Sequence, residues 1–140
     1  MPTESGQTSI LLVDDDPGLR FLLQMELESW GFHVIDYSCA EDAIKAPLDS
    51  VDLAVLDYNL PGHSGLELLQ RLRSARSRFP ALVITSESEV IHDPHWPRNR
   101  YTALLTKPFQ REAFRTSISN CLGSTDKNDV SNANSAIHNS

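Results

Sequence analysis

The sequence predicts an α/β protein built on a doubly wound, five-stranded parallel sheet. Short apolar runs alternate with segments of helical periodicity, which is typical of parallel strands joined by crossover helices. Several of these runs stop abruptly at polar residues, as fully buried strands do. The 140 residues, 40% of them hydrophobic, are enough for one domain with a substantial core. Right-handed crossovers favour the strand order 2-1-3-4-5.

The first strand and helix are predicted at the start of this domain. The strand is the apolar run at residues 9–13, and it ends at three consecutive carboxylates. Asp16 suits the N-cap of the following helix and Pro17 its first position, which leaves Asp14 and Asp15 available for chemistry. Apolar residues then recur at helical spacing, at Leu19, Leu22, Leu23, Leu27 and Trp30. Gly31 is expected to end the helix.

Four further strands and three helices follow along the chain. The strands are apolar runs at residues 32–37, 53–56, 81–85 and 101–105. Helical patterns begin at residues 40, 64 and 110, and the first and last of them run to 46 and 122. Pro47 is expected to end the short second helix, and Ser64 suits the N-cap of the third.

The crossover between the fourth and fifth strands is predicted to be irregular. Residues 87–100 are numerous enough for a helical crossover, but Pro94 and Pro97 interrupt the segment. Each proline lacks an N–H group and clashes with the preceding helical turn. Only residues 88–92 are free to form a helical turn, for which Ser86 or Ser88 is the expected cap.

The two ends of the chain are predicted to lie outside the domain, which spans residues 9–122. Residues 1–8 are expected to form a flexible arm, because they are polar and lack the pattern of a signal peptide. Residues 123–140 have no apolar periodicity and are expected to form a disordered tail. No apolar run is long enough to span a membrane, so a cytoplasmic protein without membrane partners is expected.

The composition also bears on partners and on redox chemistry. The formal net charge of −7 argues against non-specific nucleic-acid binding, which requires clustered lysine and arginine. Cys39 and Cys121 are far apart and lack the spacing of metal ligands. We expect them to be reduced cysteines that pack as small hydrophobic residues.

Polar side chains stand where four of the predicted strands end. Asp14 and Asp15 follow the first strand, Asp57 follows the third, Thr85 ends the fourth, and Lys107 comes soon after the fifth. The carboxyl ends of parallel strands meet at one edge of the sheet, where ligands bind in such folds. We therefore expect three acids, a hydroxyl and an ammonium group to converge there.

Three carboxylates at one edge predict a bound cation. Like charges within a few ångströms of one another are costly unless a cation shares the site. Oxygen ligands without cysteine or histidine favour a hard ion such as Mg²⁺. Asp14, Asp15 and Asp57 are therefore the predicted ligands. The alternative is that each acid caps its own loop, which leaves their coincidence with Thr85 and Lys107 unexplained.

This combination resembles the receiver domain of bacterial two-component response regulators, including the chemotaxis receivers, over roughly residues 9–122. The matched positions are the acidic pair Asp14–Asp15, the phosphoacceptor Asp57, the switch hydroxyl Thr85 and the signature Lys107–Pro108. The resemblance implies a flavodoxin-like fold with a cis bond before Pro108. It also implies that the backbone carbonyl of Asn59 completes the Mg²⁺ site.

The resemblance further implies a single-domain response regulator, a signalling module rather than an enzyme. Asp57 would accept a phosphoryl group from the phosphohistidine of a sensor histidine kinase or a histidine phosphotransfer protein. Lys107 would neutralise the phosphoryl oxygens, and Thr85 would hydrogen-bond them and pull its loop inward. Output would be the binding of an unknown downstream protein, or relay of the phosphate.

Two features of the sequence bear on kinetics and output within this resemblance. Asn59 and Glu87 stand where receivers flank the path of water to the aspartyl phosphate, and polar residues there predict a short-lived phosphorylated form. Leu104 occupies the position of an aromatic switch residue, and prolines interrupt the fourth helix. We therefore expect a monomer that does not signal through the usual output face.

Two alternative functions stay open. The chain could be a degenerate receiver that serves only as a protein-binding scaffold, although all the active-site residue types are present. It could instead be a phosphatase of the haloacid dehalogenase kind, which also uses an aspartate nucleophile. Such an enzyme needs a second acid two residues after Asp57, where this chain has Asn59, and the chain offers no cap domain.

Overall fold

A five-stranded parallel sheet forms the centre of the computed structural model, which describes residues 7–123. In chain order the strands are β1 Ser9–Val13, β2 His33–Tyr37, β3 Leu53–Asp57, β4 Ala81–Thr85 and β5 Thr102–Thr106. They are arranged in the order β2-β1-β3-β4-β5, and all four pairings are parallel. The predicted fold class and strand order are confirmed. The predicted arm and tail lie almost entirely outside the described residues.

Four α-helices cover the sheet: α1 Pro17–Ser29, α2 Ala40–Ala43, α3 Gly65–Ala75 and α4 Arg111–Gly123. The Asp16 side chain caps α1 by accepting from the backbone N–H groups of Gly18 and Leu19. Ser64 and Glu67 form a reciprocal capping box at α3. Gly31, with φ at +94°, follows the end of α1. No helix among the described residues is long and apolar enough to cross a membrane.

The helix α2 is shorter than predicted, because the chain tightens before it reaches Pro47. The N–H of Lys45 bonds the carbonyl of Asp42 at 3.1 Å, and that of Ala46 bonds Ala43 at 3.0 Å. These bonds span three residues rather than four, so this turn is of the 3₁₀ kind. A separate 3₁₀ turn at Leu48–Ser50 then leads into β3.

Each face of the sheet carries its own hydrophobic core. Toward α2 and α3 the buried residues include Leu11, Val13, Leu56, Leu69, Leu72, Phe79 and Val83. Toward α1 and α4 they include Ile10, Leu12, Leu23, Leu27, Val55, Phe114, Ile118 and Cys121. Leu22, one of the apolar residues at helical spacing in α1, is 53% exposed. Consecutive helical residues are about 100° apart, so Leu22 points away from the sheet when Leu23 points into it.

The fourth crossover, residues 86–101, contains only a 3₁₀ turn at Ser88–His92, which confirms the predicted irregular segment. The expected serine cap is wrong, since Glu87 occupies the cap position and makes no side-chain cap bond. Val90 is buried and Trp96 packs against the core, so these two side chains anchor the segment on the sheet. The strand β5 remains only half-covered at this edge.

A feature that the sequence did not predict follows β3. Residues Asn59–Leu60 and His63–Ser64 pair as an antiparallel hairpin with two residues in each strand. Its turn contains Gly62, whose φ of +75° is readily adopted by glycine. The hairpin connects the end of β3 directly to the N-cap of α3.

Candidate functional site

The register of the sheet brings the candidate residues to one edge. Val13 pairs with Leu56, so the residues that follow them, Asp14 and Asp57, stand at the ends of neighbouring strands. On the other side of β3, Asp57 pairs with Ile84, the residue before Thr85. Because these strands are parallel, their polar terminal residues share the edge where parallel sheets bind ligands.

The three acids form one cluster. Asp14, Asp15 and Asp57 each offer a carboxylate oxygen, and these oxygens lie within 4.8 Å of one another. Asp14 is 1% exposed and Asp57 is 6% exposed, whereas Asp15 faces solvent. Within residues 7–123 this is the one cluster of acidic, histidine or cysteine side chains with metal-ligand spacing.

Burial and mutual repulsion make the charged state of this cluster costly. Burial raises the pKa of Asp14 from 3.8 to about 6, and the charges of Asp57 and Asp15 add to the rise. The backbone N–H of Asp16 donates to Asp14 Oδ1 at 2.9 Å, and this hydrogen bond opposes the rise in the pKa of Asp14. The pKa of Asp57 is also raised, chiefly by burial, against the opposing N–H of Asn59 at 3.2 Å.

These side chains fit a hard divalent cation. An ion at the cluster would offset the desolvation and repulsion that raise both pKa values. Carboxylate oxygens without nitrogen or sulfur are the donors that Mg²⁺ prefers. Asp14, Asp15 and Asp57 could therefore hold Mg²⁺. The carbonyl of Asn59 as a further ligand stays a prediction.

A lysine supplies the positive charge beside the buried acids. Lys107 Nζ lies 3.9 Å from Asp57 Oδ1, and its charge favours the ionised carboxylate. The backbone N–H of Lys107 donates to the carbonyl of Thr85 at 2.7 Å, and its bond to Pro108 is cis. The lysine thus lies at the edge of the cluster, with its backbone fixed to β4.

The hydroxyl of Thr85 connects the site to the fourth crossover. Thr85 is fully buried, and its Oγ1 accepts from the backbone N–H of Glu87 at 3.0 Å. The Glu87 side chain in turn accepts from Asn59 Nδ2 at 3.3 Å. Asn59 and Glu87, which were predicted to act together, therefore contact each other directly above the ends of β3 and β4.

Sequence reasoning missed two residues that position the cluster. Arg20 donates from Nη1 to the carbonyl of Asp14 at 2.7 Å and from Nε to Asp36 Oδ2 at 3.0 Å. Arg20 lies one helical turn after Asp16, and this spacing could have indicated that its side chain lies near the acidic residues. Gly65 lies against the backbone of β3, and its N–H donates to the carbonyl of Tyr58 at 2.6 Å. A glycine at this position indicated that another backbone segment could approach closely, but it did not indicate which segment.

Comparison with known proteins assigns the family. The family model described as the response regulator receiver domain matches residues 10–119. The chain belongs to this family. Receiver domains are signalling domains of two-component systems, and phosphorylation and Mg²⁺ binding are general features of the family. This agrees with the resemblance found in the sequence.

The similar proteins include curated transcriptional regulators that are longer than this chain. The alkaline phosphatase synthesis transcriptional regulatory protein PhoP of Bacillus subtilis is 42% identical over 81 residues, which are 57% of this chain and 34% of PhoP. The C4-dicarboxylate transport transcriptional regulatory protein DctD of Pseudomonas aeruginosa is 32% identical over 118 residues, which are 84% of this chain and 26% of DctD. The chain spans between 26% and 48% of the length of the curated relatives compared.

A solved receiver shows the same fold. The response regulator TrrA of Thermotoga maritima, solved in complex with Mg²⁺ and BeF, is 28% identical to this chain. The similarity covers 83% of this chain and all of TrrA, with a TM-score of 0.74. It supports the assignment of the flavodoxin-like receiver fold to this chain.

Proposed function

We propose that Asp57 accepts a phosphoryl group from the phosphohistidine of a sensor histidine kinase or a histidine phosphotransfer protein. The observation that supports this proposal is the acid cluster of Asp14, Asp15 and Asp57 with Lys107 Nζ 3.9 Å from Asp57. Phosphoryl transfer depends mainly on positioning and on neutralising charge. Asp57 is the carboxylate at the cluster that the lysine contacts directly.

Each residue has a separate part in the proposed transfer. A carboxylate oxygen of Asp57 attacks phosphorus, the bond between phosphorus and the histidine nitrogen breaks, and its electron pair returns to the imidazole. Lys107 stabilises the negative charge of the phosphoryl oxygens, and Thr85 donates a hydrogen bond from its hydroxyl to one of them. Asp14, Asp15 and Asp57, with the Asn59 carbonyl, would hold Mg²⁺, and the bound ion would supply further charge neutralisation.

The proposed output is binding of a downstream protein or relay of the phosphate. The net charge of −7 over the 140 residues supports a protein partner rather than direct contact of this chain with nucleic acid. PhoP and DctD are transcriptional regulatory proteins, but the chain matches only a part of each. Action as a stand-alone module in the cytoplasm therefore stays a prediction.

Intact-mass spectrometry after incubation with acetyl phosphate and Mg²⁺ tests the proposal. We expect one added phosphate on the wild type, none on Asp57→Asn, and one on the control Asp49→Asn, which changes an exposed acid elsewhere. Stoichiometric labelling at a residue other than Asp57 would contradict the assignment. Continuous turnover of small phosphate esters would indicate a phosphatase, and absence of any adduct would indicate a binding scaffold.

A further inference from the structure

Two side-chain hydrogen bonds fasten the fourth crossover to the residues that directly follow the end of β3. Asn59 Nδ2 donates to Glu87 Oε2 at 3.3 Å. The hydroxyl of Tyr58 donates to Asp93 Oδ2 at 3.1 Å. Glu87 and Asp93 flank the 3₁₀ turn Ser88–His92, so both ends of this turn are tied to one dipeptide of the site.

Both partners of the Tyr58–Asp93 bond are held in place by other contacts. The N–H of Tyr58 bonds the carbonyl of Ile84 at 2.8 Å, and its ring packs partly buried against the core. Asp93 Oδ1 accepts from the N–H of His95 at 2.8 Å, which orients the carboxylate and leaves Oδ2 for the tyrosine. A hydrogen bond between two pre-positioned groups loses little conformational entropy when it forms.

Phosphorylation of Asp57 would disturb the other end of the same turn. Thr85 Oγ1 accepts from the N–H of Glu87, so a movement of Thr85 that brings its hydroxyl to a phosphoryl group would stretch this bond or pull Glu87 with it. The added negative charge also repels the Glu87 carboxylate, which Asn59 holds above the site. Since a short turn links Glu87 to Asp93, displacement at one end is transmitted to the other.

We propose that the Tyr58–Asp93 hydrogen bond is a latch that holds the fourth crossover in its unphosphorylated position and opens when Asp57 is phosphorylated. The latch rests on the proposed phosphorylation of Asp57 and adds to it a route to the protein surface. It takes the place of the aromatic switch residue, which this chain replaces with Leu104. Trp96 moves with the latch, because its N–H bonds the carbonyl of Asp93 at 2.9 Å.

A latch that favours one state must oppose the other. Removal of the Tyr58 hydroxyl is therefore expected to shift the population toward the phosphorylated conformation. A hydrogen bond to a charged group contributes enough to change an equilibrium by about tenfold. Beryllium fluoride, which mimics the phosphoryl group, should accordingly bind about tenfold more tightly to Tyr58→Phe in the presence of Mg²⁺.

The emission of Trp96 reports on the latch in a full-length Trp30→Phe background. Dissociation constants for beryllium fluoride at fixed Mg²⁺ are measured for Tyr58→Phe, for Asp93→Ala and for the double variant. Tyr101→Phe is the matched control, since it removes a tyrosine hydroxyl at the opposite edge of the sheet. Thermal unfolding of each variant verifies folding, and Tyr58→Phe alone suffices if Asp93→Ala does not fold.

The latch predicts that each single variant binds about tenfold more tightly and that the double variant gains nothing further, because one bond is removed in each case. Unchanged affinity of Tyr58→Phe, or additive effects of the two substitutions, would overturn it. Labelling with acetyl phosphate is measured in parallel. Phosphate on Asp57 with unchanged affinities rejects the latch alone, whereas an absence of phosphate on Asp57 rejects the proposed function and the latch with it.

Discussion

The backbone of Gly65 approaches Asp57 so closely that a Cβ atom at this position would overlap the carbonyl oxygen of Asp57 and lie 3.0 Å from the Cα of Tyr58. Gly65→Ala should therefore push the start of α3 away from the end of β3. We expect it to lower the free energy of unfolding by about 1–3 kcal/mol, as overpacking does. It should also slow labelling by acetyl phosphate, because Asp57 shifts. Chemical denaturation and intact mass measure the two effects.

Gly18→Ala is the matched control for this substitution. A Cβ at Gly18 would lie 3.5 Å from Asp16 Oδ1, an ordinary contact, and the residue is in the first turn of α1. Alanine in a helix is more stable than glycine by roughly 0.5–1 kcal/mol, so this variant should be unchanged or more stable. Equal behaviour of the two variants would show that the approach at Gly65 is not critical.

Mg²⁺ should stabilise the fold through the acid cluster. A ligand that binds only the native state stabilises it by about 2.7 kcal/mol at a hundredfold excess over its dissociation constant. Millimolar Mg²⁺ is expected to raise the melting temperature of the wild type and of Asp49→Ala, and to have a much smaller effect on Asp15→Ala. Calorimetry or thermal unfolding measures this. The same rise in Asp15→Ala would remove Asp15 from the proposed ligands.

Without a cation, the contribution of Asp14 to stability should decrease as pH rises through the acidic range. The pKa of Asp14 in the fold is about 6, above its ordinary value of 3.8. Between these values the native state binds more protons than the unfolded state, so the free energy of unfolding falls with rising pH. Denaturation from pH 4 to about pH 7 in chelator measures this fall. Asp14→Asn should weaken it, whereas Asp49→Asn should not.

The phosphorylated form should be short-lived because Asn59 and Glu87, which stand where receivers flank the path of water to the aspartyl phosphate, are both polar. Their contact at 3.3 Å places both beside the end of β3. Replacement by Asn59→Met and Glu87→Lys is expected to slow hydrolysis by about tenfold, which corresponds to about 1.4 kcal/mol of barrier. Loss of phosphate mass over time measures the rate. Glu89→Lys is the charge-matched control, and an unchanged rate in the double variant would refute the prediction.

The protein is expected to stay monomeric when phosphorylated. The fourth crossover forms only a 3₁₀ turn at Ser88–His92, so the helical ridge that receivers use at this face is missing. Leu104 also cannot act as an aromatic switch. Sedimentation velocity with Mg²⁺, with and without beryllium fluoride, measures the association state. A dimer that forms only with beryllium fluoride and is abolished by substitutions in residues 87–105 would contradict this expectation.

The sequence determined the elements because each carries its own local signal. Asp16 and Pro17 predicted the start of α1, and the prolines of the fourth crossover excluded a regular helix there, since propensity and capping depend on neighbours in the chain. The structure departed from expectation where local sequence preferences do not decide between two backbone conformations or two side-chain environments. The helix α2 ended before Pro47, and Leu22 is 53% exposed although it is apolar and lies at helical spacing.

The sequence by itself determined the fold class, the strand order and the residue types of the site. The sequence alone shows apolar runs that end at Asp57 and at Thr85. These residues are expected at one edge of the sheet, because parallel strands all end there. Only the tertiary structure decided which of these groups are buried and which side chains contact one another. The Tyr58–Asp93 bond spans 35 positions and the Asn59–Glu87 bond spans 28, and no local pattern encodes such pairs. They arise because chain segments that are far apart in sequence pack on the same strands.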